Sequence, residues 1–494
     1  MRSGSQYVES LRDDRAIFVD GERVRDMPDH PAFRGVVESV ASLYDIAADP
    51  ANGMTFTSPE TGKQANKIFL IPRTREDLLD RRQAITRWAR VSNGLLGRSP
   101  DHVAAFLAGF ASAPGVFARG RAAFGENITR FYRKAVDEDL YVTYVIIPPQ
   151  VDRSKTAQGQ EEAFLQAGVV AERDGGIVIR GAQMLGTGAA LSNYLFVSCI
   201  APQRPGDEDY ALSFVVPLGA AGLKLYPRRS YALGQPSTFD YPLSTRFDET
   251  DALIVFDDVF VPWEDVFVYR DVELTRSQFF DTAAHVLGNT QAQIRLSVKL
   301  QFLAGIARKI ASTNRIDAIP QGQETLADLA SLAATVEGMV LAAEATSTVD
   351  AHGVARPNPR FLYGAMGQQA DVYPRALHLL RHLAGGGVLQ VPDSYREYLN
   401  PETAPDIKRY IRSTGVGSED RVKLFKLAWD MVGSEFAGRH HQYEMFYAGA
   451  PFVAKGYAYR NYRYDEAVAL VDTFLGTYGL ETAVREAGAE ALLV

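Results

Sequence analysis

Arg98-Ser99-Pro100-Asp101-His102 is the stretch of this chain whose residue types and spacing best suit chemistry on an anion. Ser99 is placed to cap a helix, Pro100 suits its first position, and Asp101 favours the positive end of the macrodipole. Arg98 then stands one residue before the cap, on the side faced by the free N–H groups of the first turn, a combination suited to an oxyanion. His102 falls in that first turn, where the dipole disfavours an imidazolium and leaves a neutral base. Taken alone, His102 also reads as a solvated helix-start residue. Cys199 is the only cysteine, so neither an intrachain disulfide nor a cysteine-ligated iron-sulfur cluster is available. Among the eight histidines there is no H-E-x-x-H, His440 and His441 are adjacent, and His378 and His382 have no acidic residue between Val372 and Pro392 to complete a site. No metal centre is expected.

The elements that must position these residues follow from hydrophobic period and turn signals. From Ser5 to about Lys134 the pattern is mostly helical. Thr74 with Asp77 three residues later reads as a capped start, Leu78, Leu79, Ile85, Trp88 and Ala89 form one apolar face, and Asn93-Gly94 ends the helix. The helix opening at Ser99 should run to about Ser112. Between about Asp139 and Asp271, β-branched and aromatic runs alternate with Gly, Pro and Asp. Gly168–Ala171, the turn Asp174-Gly175-Gly176 and Ile177–Ile179 read as a hairpin; Tyr194–Val197, Leu212–Val216 and Leu253–Phe256 read as further strands. From about Ser277 the helical period returns in Ala292–Thr313, Glu324–Thr346 and Ser418–Met445, and Gly385-Gly386-Gly387 should separate a helix from an extended run, Val388–Pro392. The reading is an α+β chain with a helical unit over 1–138, a β unit over 139–275 and a helical bundle over 276–494, whose leftover apolar faces invite another subunit.

Composition narrows the function classes. With 494 residues, 46% hydrophobic and 23% charged, the chain is long enough for two or three packed units. Lys plus Arg number 52 against 60 Asp plus Glu, a net charge of -8, so neither nucleic acid nor an anionic membrane is an expected partner. The uncharged stretch Gly181–Gln203 is interrupted by Gln183, Gly186, Gly188, Ser192 and Asn193, so no membrane span is expected. The opening Met1-Arg2-Ser3-Gly4 leads into a polar amphipathic segment, so a cytoplasmic location is expected.

The order helical unit, β unit, helical bundle resembles the acyl-CoA dehydrogenase-like flavoproteins, and short segments point to one branch. Gly4–Leu11, His30–Arg34, Gly97–Asp101, Asp240–Glu249, Val261–Glu264 and Gly433–Arg439 resemble the oxygenase-component family of 4-hydroxyphenylacetate 3-monooxygenase, in the same order, over about residues 4–455. The resemblance implies an acyl-CoA dehydrogenase-like fold with a middle β-barrel and a homotetramer, a dimer remaining open. It also implies a two-component flavin monooxygenase. A separate NAD(P)H:flavin reductase supplies reduced FAD, O2 adds at flavin C4a, and the distal oxygen goes to a phenolic ring ortho to its hydroxyl. The chain has no G-x-G-x-x-G after a strand, in keeping with electrons supplied from elsewhere.

The resemblance also implies site residues. Transfer to a ring is easiest when the phenol is a phenolate, so Arg98 would hold the phenol oxygen and a neighbour would accept its proton. In the family the motif after Arg98 ends in Tyr, and here it ends in His102. Where the family places a His before Pro148–Arg153, this chain has Tyr144. The pair is exchanged, which leaves either side chain as the base. FAD contacts are implied for Tyr144, Val145, Ile146, Gln150, Val151, Asp152, Arg153, Thr187, Ala450, Pro451, Phe452 and Val453. Gln150 and Arg153 offer donors to flavin and pyrophosphate oxygens. Thr187 offers a hydroxyl between Gly186 and Gly188, where a flat ring approaches closely. Where the family sets two hydroxyl residues against the substrate carboxylate, Cys199 and Ile200 stand here, which implies a phenol lacking that short acid, or a larger or tethered one. The rival readings are an acyl-CoA dehydrogenase with a carboxylate base, a flavin N-oxygenase on the same fold, and a helical assembly protein that has lost its cofactor.

Overall fold

The computed structural model describes residues 1–59 and 61–486. Helices Arg34–Ala48, Arg75–Val91, Pro100–Ala111 and Ala122–Glu138 dominate the first part. The Thr74 hydroxyl accepts the Asp77 N–H (3.1 Å) while the Asp77 carboxylate takes the Thr74 N–H (2.9 Å), a reciprocal cap at the start of the Arg75 helix. The helix is left through Asn93 and Gly94, both at positive φ (52° and 74°). Four short strands interrupt this helical region, a departure from the helical expectation. Two of them, Ala16–Val19 and Glu22–Arg23, are drawn into the β unit because Ala16–Val19 finds a free edge parallel to Leu223–Pro227.

The β unit is two sheets. The larger runs Glu22–Arg23, Ala16–Val19, Leu223–Pro227, Ala252–Pro262, Gly176–Gln183, Gly168–Arg173; the smaller runs Val266–Tyr269, Leu212–Pro217, Tyr194–Val197, Val142–Val145. Along Ala252–Pro262, Ala252, Ile254 and Phe256 are buried, Asp257 and Asp258 are both exposed, and Val259 and Val261 are buried again. The register shift against Gly176–Gln183 falls between Phe256 and Val259, so a bulge resets the alternation after one extra residue. Phe214 of the small sheet meets Phe256 of the large one edge-on at 6.0 Å. An antiparallel bridge between Ile147 and Met184 joins the sheets at one corner.

The C-terminal helices are long and packed side by side: Ala284–Thr313, Pro320–Ala345 and Pro359–Ala384. Positions 487–494 of the expected bundle lie outside the described residues. The expected single helix Ser418–Met445 is two, Ser418–Val432 and Glu435–Phe446, because Ser434 caps the second, accepting the Ala437 N–H at 3.1 Å. The expected extended run Val388–Pro392 forms no strand: Val388 closes the tight helical turn Gly385–Val388, and the residues after it are irregular. No strand edge partners it, and the N–H groups of Leu389 and Gln390 bond back to the Gly386 carbonyl (3.0 and 3.2 Å). Pro320–Ala345 is long and apolar enough to cross a membrane, with 28% of its most apolar window buried, and it packs on its two long neighbours.

Two glycines let the Pro100–Ala111 helix lie close on Ala284–Thr313. A Cβ on Gly109 would sit 2.3 Å from the Ala284 backbone, and one on Gly288 would sit 2.0 Å from the Phe106 ring. Behind this contact the bundle holds a buried charge cluster. Arg295 grips Glu444 with both terminal nitrogens (2.7 and 2.8 Å), Lys299 donates to the same carboxylate at 2.8 Å, and Gln369 adds a fourth donor at 2.8 Å. Burial alone would raise the Glu444 carboxyl, but Arg295 and Lys299 hold it down to about 2, while burial lowers Lys299 to about 8.

Glu444→Gln should therefore cost about 3–5 kcal/mol, since two buried cations lose their anion. Glu444's contribution to stability should be complete above its ordinary 4.5 and be lost as pH falls toward 2. Urea unfolding of wild type and Glu444→Gln across that pH range checks both: the difference between them should shrink in acid.

Candidate active site

Arg98 is buried at the junction of the β unit and the helices, 9% exposed. Its backbone is clamped from two sides: its N–H donates to Glu249 (3.0 Å), and its carbonyl accepts the Tyr141 hydroxyl (2.5 Å). The guanidinium lies 4.0 Å from the ring centre of Tyr447, 5.0 Å from that of Tyr144 and 5.6 Å from that of Tyr443. One terminal nitrogen donates to the Tyr447 carbonyl at 3.3 Å; the other, Nη1, is buried with no hydrogen-bond partner among the described residues. Burial opposes the charge, but Tyr144, Tyr443, Tyr447 and Glu249 outweigh it, and Arg98 remains a guanidinium.

His102 sits in the first turn of the Pro100–Ala111 helix and is buried against Tyr144 (ring centres 5.2 Å), Phe106 (5.3 Å) and Tyr447 (5.9 Å). Its Nδ1 meets the Gln291 Oε1 at 3.1 Å; its Nε2 is buried and has no partner among the described residues. Imidazolium formation is strongly disfavoured, first by burial and then by the Arg98 charge. Two expectations for this helix start change. Ser99 does not cap, because its hydroxyl is bound by the Asp101 carboxylate at 2.6 Å and Pro100 carries no N–H; the His102 N–H is taken by the Ser99 carbonyl at 2.9 Å. Pro100 and His102 therefore offer no free first-turn N–H to an anion.

Arg98, His102 and Tyr144 thus meet at one place. Tyr144, half-buried, arrives on Val142–Val145, directly paired with Phe196 of Tyr194–Val197. Gly186-Thr187-Gly188 lies next to them: Gly188, at φ 70°, stands where a Cβ would come 3.6 Å from the Arg98 carbonyl, and a Cβ on Gly186 would come 3.2 Å from Val145. The Thr187 hydroxyl is not free as expected; it donates to Asp251 at 2.5 Å. Ile146 is buried beside Val145. Gln150, Val151 and Arg153 are exposed on the following loop, where Asp152 braces the turn by accepting the Ser154 N–H and hydroxyl (2.9 and 2.7 Å). Ala450 precedes the helix Pro451–Asn461, with Phe452 78% exposed and Val453 partly buried. Cys199 and Ile200 follow the Tyr194–Val197 strand and touch neither Arg98 nor His102 among the described contacts. The Cys199 thiol, pushed up to about 11 by burial, faces Gln166 (3.9 Å) and the Ala201 carbonyl (3.8 Å); Ile200 is 45% exposed.

Sequence reasoning missed the ring of groups that holds Arg98. Arg439 donates to Glu249 (3.1 Å) and to Asp251 (2.6 and 3.0 Å), and covers the Tyr443 ring at 4.0 Å. Burial would raise Asp251, yet Arg439 and Arg228 hold it well below the carboxylate range. Tyr447 lies between two guanidinium groups, Arg98 at 4.0 Å and Arg295 at 4.6 Å. The available signal was helical spacing: Arg439, Tyr443 and Tyr447 recur every four residues along the Glu435–Phe446 helix, while His440 and Glu444 do so on its buried side.

Helical units flank a two-sheet β unit, with a buried cation and a bare imidazole nitrogen where they meet, and the fold is of the acyl-CoA dehydrogenase-like class. The chain belongs to the 4-hydroxyphenylacetate 3-hydroxylase family: the N-terminal family model matches residues 3–268 and the C-terminal one residues 275–476. It is 35% identical over 458 residues to the 4-hydroxyphenylacetate 3-monooxygenase oxygenase component of Pseudomonas aeruginosa, covering 91% of this chain and 86% of that one. It is 36% identical, over 90% of this chain and 85% of the relative, to the Streptomyces globisporus monooxygenase of (3S)-3-amino-3-(3-chloro-4-hydroxyphenyl)propanoyl-[peptidyl-carrier protein SgcC2]. The solved oxygenase component of 4-hydroxyphenylacetate 3-monooxygenase, complexed with FAD and 4-hydroxyphenylacetate, superposes with a TM-score of 0.91 at 33% identity, covering 97% of this chain and 99% of that one.

His102 should stay unprotonated at neutral pH and well below the ordinary histidine range, because both burial and Arg98 oppose the imidazolium. Histidine 15N shifts in labelled protein, assigned by comparison with His102→Asn, check this; an imidazolium signal lost in that variant would contradict it.

Proposed function

We propose that this chain is the oxygenase component of a two-component flavin-dependent monooxygenase, which uses reduced FAD and O2 to hydroxylate a phenol ortho to its hydroxyl. The observation that carries the reading is the pair of buried, unpartnered atoms, Arg98 Nη1 and His102 Nε2, beside Tyr144. Buried polar atoms are rarely left without partners, so this pair marks a place for a polar ligand atom. A phenol oxygen suits both: Arg98 stabilises it as an anion and a neutral His102 takes its proton.

The residues present fit FAD. Gly186 and Gly188 keep the backbone beside Arg98 and Val145 slim, and Gln150 and Arg153 present donors on an exposed loop. Val145, Ile146 and Thr187 would flank the ring system, Val151 and Asp152 would shape the loop, and Ala450, Pro451, Phe452 and Val453 would contribute backbone and shape. With its hydroxyl held by Asp251, Thr187 acts through a fixed orientation. Reduced FAD, when bound, supplies the electrons that activate O2 for transfer to the ring. A separate NAD(P)H:flavin reductase would deliver it, and a cytoplasmic location would suit that supply.

The dehydrogenase reading requires a free carboxylate base. Here Asp101 is bound by Ser99 and Gln291, Glu249 by Arg98 and Arg439, and Asp251 by Arg439, Arg228 and Thr187. None of the three is spare, which favours phenol chemistry. The protonated, apolar Cys199 and the exposed Ile200 offer nothing to a short carboxylate, so the substrate is a phenol without one or one tethered to a larger carrier, as in the Streptomyces relative's name.

With reduced FAD and 18O2, phenols lacking a carboxylate should yield catechols carrying one labelled oxygen, and Arg98→Met should lower kcat/KM roughly 100-fold or more. Flavin bleaching by an acyl thioester with no O2 uptake would sink the reading.

We also propose a homotetramer assembled through the C-terminal helices. Tyr464–Leu475 has no buried residue, and Leu470 and Phe474 are 75% and 67% exposed. Light scattering after gel filtration should give a tetramer, and Leu470→Glu with Phe474→Glu should give a smaller species.

A further inference from the structure

We propose that Gln291 and Asp101 are positioning residues that lock His102 in the tautomer bearing hydrogen on Nδ1, leaving the Nε2 lone pair to take the substrate's phenolic proton. This rests on the phenol-hydroxylase reading above and goes one shell beyond it.

The lock is a chain of donors and acceptors with one consistent direction. Ser99 donates its hydroxyl to the Asp101 Oδ1 at 2.6 Å, and the Gln291 amide Nε2 donates to the same oxygen at 3.2 Å. A carboxylate accepts only, so it fixes which end of the Gln291 amide faces it. The other end, Oε1, is thereby turned to the His102 Nδ1 at 3.1 Å. A carbonyl oxygen also accepts only, so Nδ1 must carry the hydrogen. Tyr447 agrees: its hydroxyl donates to the Gly97 carbonyl at 2.8 Å and presents a lone pair to Nδ1 at 3.4 Å. Nε2 is consequently bare, buried and without a partner. The charged and titratable groups around the imidazole are Arg98 from the preceding loop, Asp101 on its own helix, Arg295 on Ala284–Thr313, Tyr144 on its strand and Tyr447 after Glu435–Phe446. Burial holds Asp101 up to about 6, so at neutral pH and above it is the anion that the lock needs.

In the step assigned to His102, the phenol O–H bond breaks and the proton joins Nε2. The result is an imidazolium whose Nδ1–H still donates to Gln291 and a phenolate facing Arg98; nothing is oxidised or reduced. Had the Gln291 amide the opposite sense, Nε2 would carry hydrogen and could only donate.

The test uses flavin-loaded enzyme, anaerobic with reduced FAD, and 4-nitrophenol as the probe, whose visible phenolate band reads ionisation of the bound phenol against pH. Wild type should ionise it at lower pH than in water. Gln291→Met and Asp101→Leu should each cut the ionised fraction about tenfold, a shift of about one pH unit. Gln291→Glu, which keeps an acceptor facing Nδ1, should restore it, whereas Asp101→Asn, whose amide can donate as well as accept, should fall between wild type and Asp101→Leu. In a His102→Asn background, Gln291→Met should add nothing, which separates a tautomer effect from general damage to the fold. Wild-type ionisation in Gln291→Met and Asp101→Leu would overturn the lock while leaving the phenol-hydroxylase reading standing. Failure of wild type itself to ionise bound 4-nitrophenol would overturn both.

Discussion

Arg98 carries a permanent positive charge into the interior, and the packing around it answers the cost of doing so. An unpaired buried ion costs several kcal/mol. Here three tyrosine rings face the guanidinium, Glu249 holds its backbone, and Arg439 holds Glu249. Tyr447 passes the constraint on, because Arg295, which is neutralised by Glu444, also lies 4.6 Å from its ring centre. Charges from the first helical region, the β unit and the bundle therefore depend on one another, and the three parts are held in one geometry.

That arrangement decides what chemistry is left available. Asp101, Glu249 and Asp251, the carboxylates described at the site, are each bound by a cation or a hydrogen-bond donor. The imidazole of His102 is neutral, buried and bare on one nitrogen, and Arg98 keeps one nitrogen unpartnered. A cation for an anion and a base for a proton are what ionising a phenol requires. His102 and Tyr144 lie in contact, their ring centres 5.2 Å apart.

The motifs that suggested the family divide into two kinds once their contacts are known. Gly97–Asp101 builds the site directly. Asp240–Glu249 and Gly433–Arg439 support it from outside: Asp240 pairs with Lys426 (2.9 Å), Ser244 with Asp430, and Glu249 with Arg439 (3.1 Å). These two segments meet in space, which explains why both carry recognisable patterns though neither reads as catalytic.

Local information in the chain was enough for the elements. The capping pair Thr74 and Asp77, the turn at Asp174-Gly175-Gly176, and the alternation along Leu253–Phe256 each depend on neighbours in sequence, and so they were legible. Arg98, His102 and Tyr144 were legible as candidates because each stands in or beside a short motif, Gly97–Asp101 or Pro148–Arg153. The two-helix break at Gly433-Ser434 and the turn after Gly385 were misread, since apolar period alone does not register a cap or the absence of a strand partner. Gln291, 189 residues from His102, was invisible, as were Tyr447 and the roles of Glu249 and Arg439. Whether Thr187 has a free hydroxyl, which His102 nitrogen is bare, and which carboxylates are spent are all settled by partners distant in the chain. Sequence order fixes residue types and local periods; hydrogen-bond direction and charge pairing exist only once the helices and sheets have closed on one another.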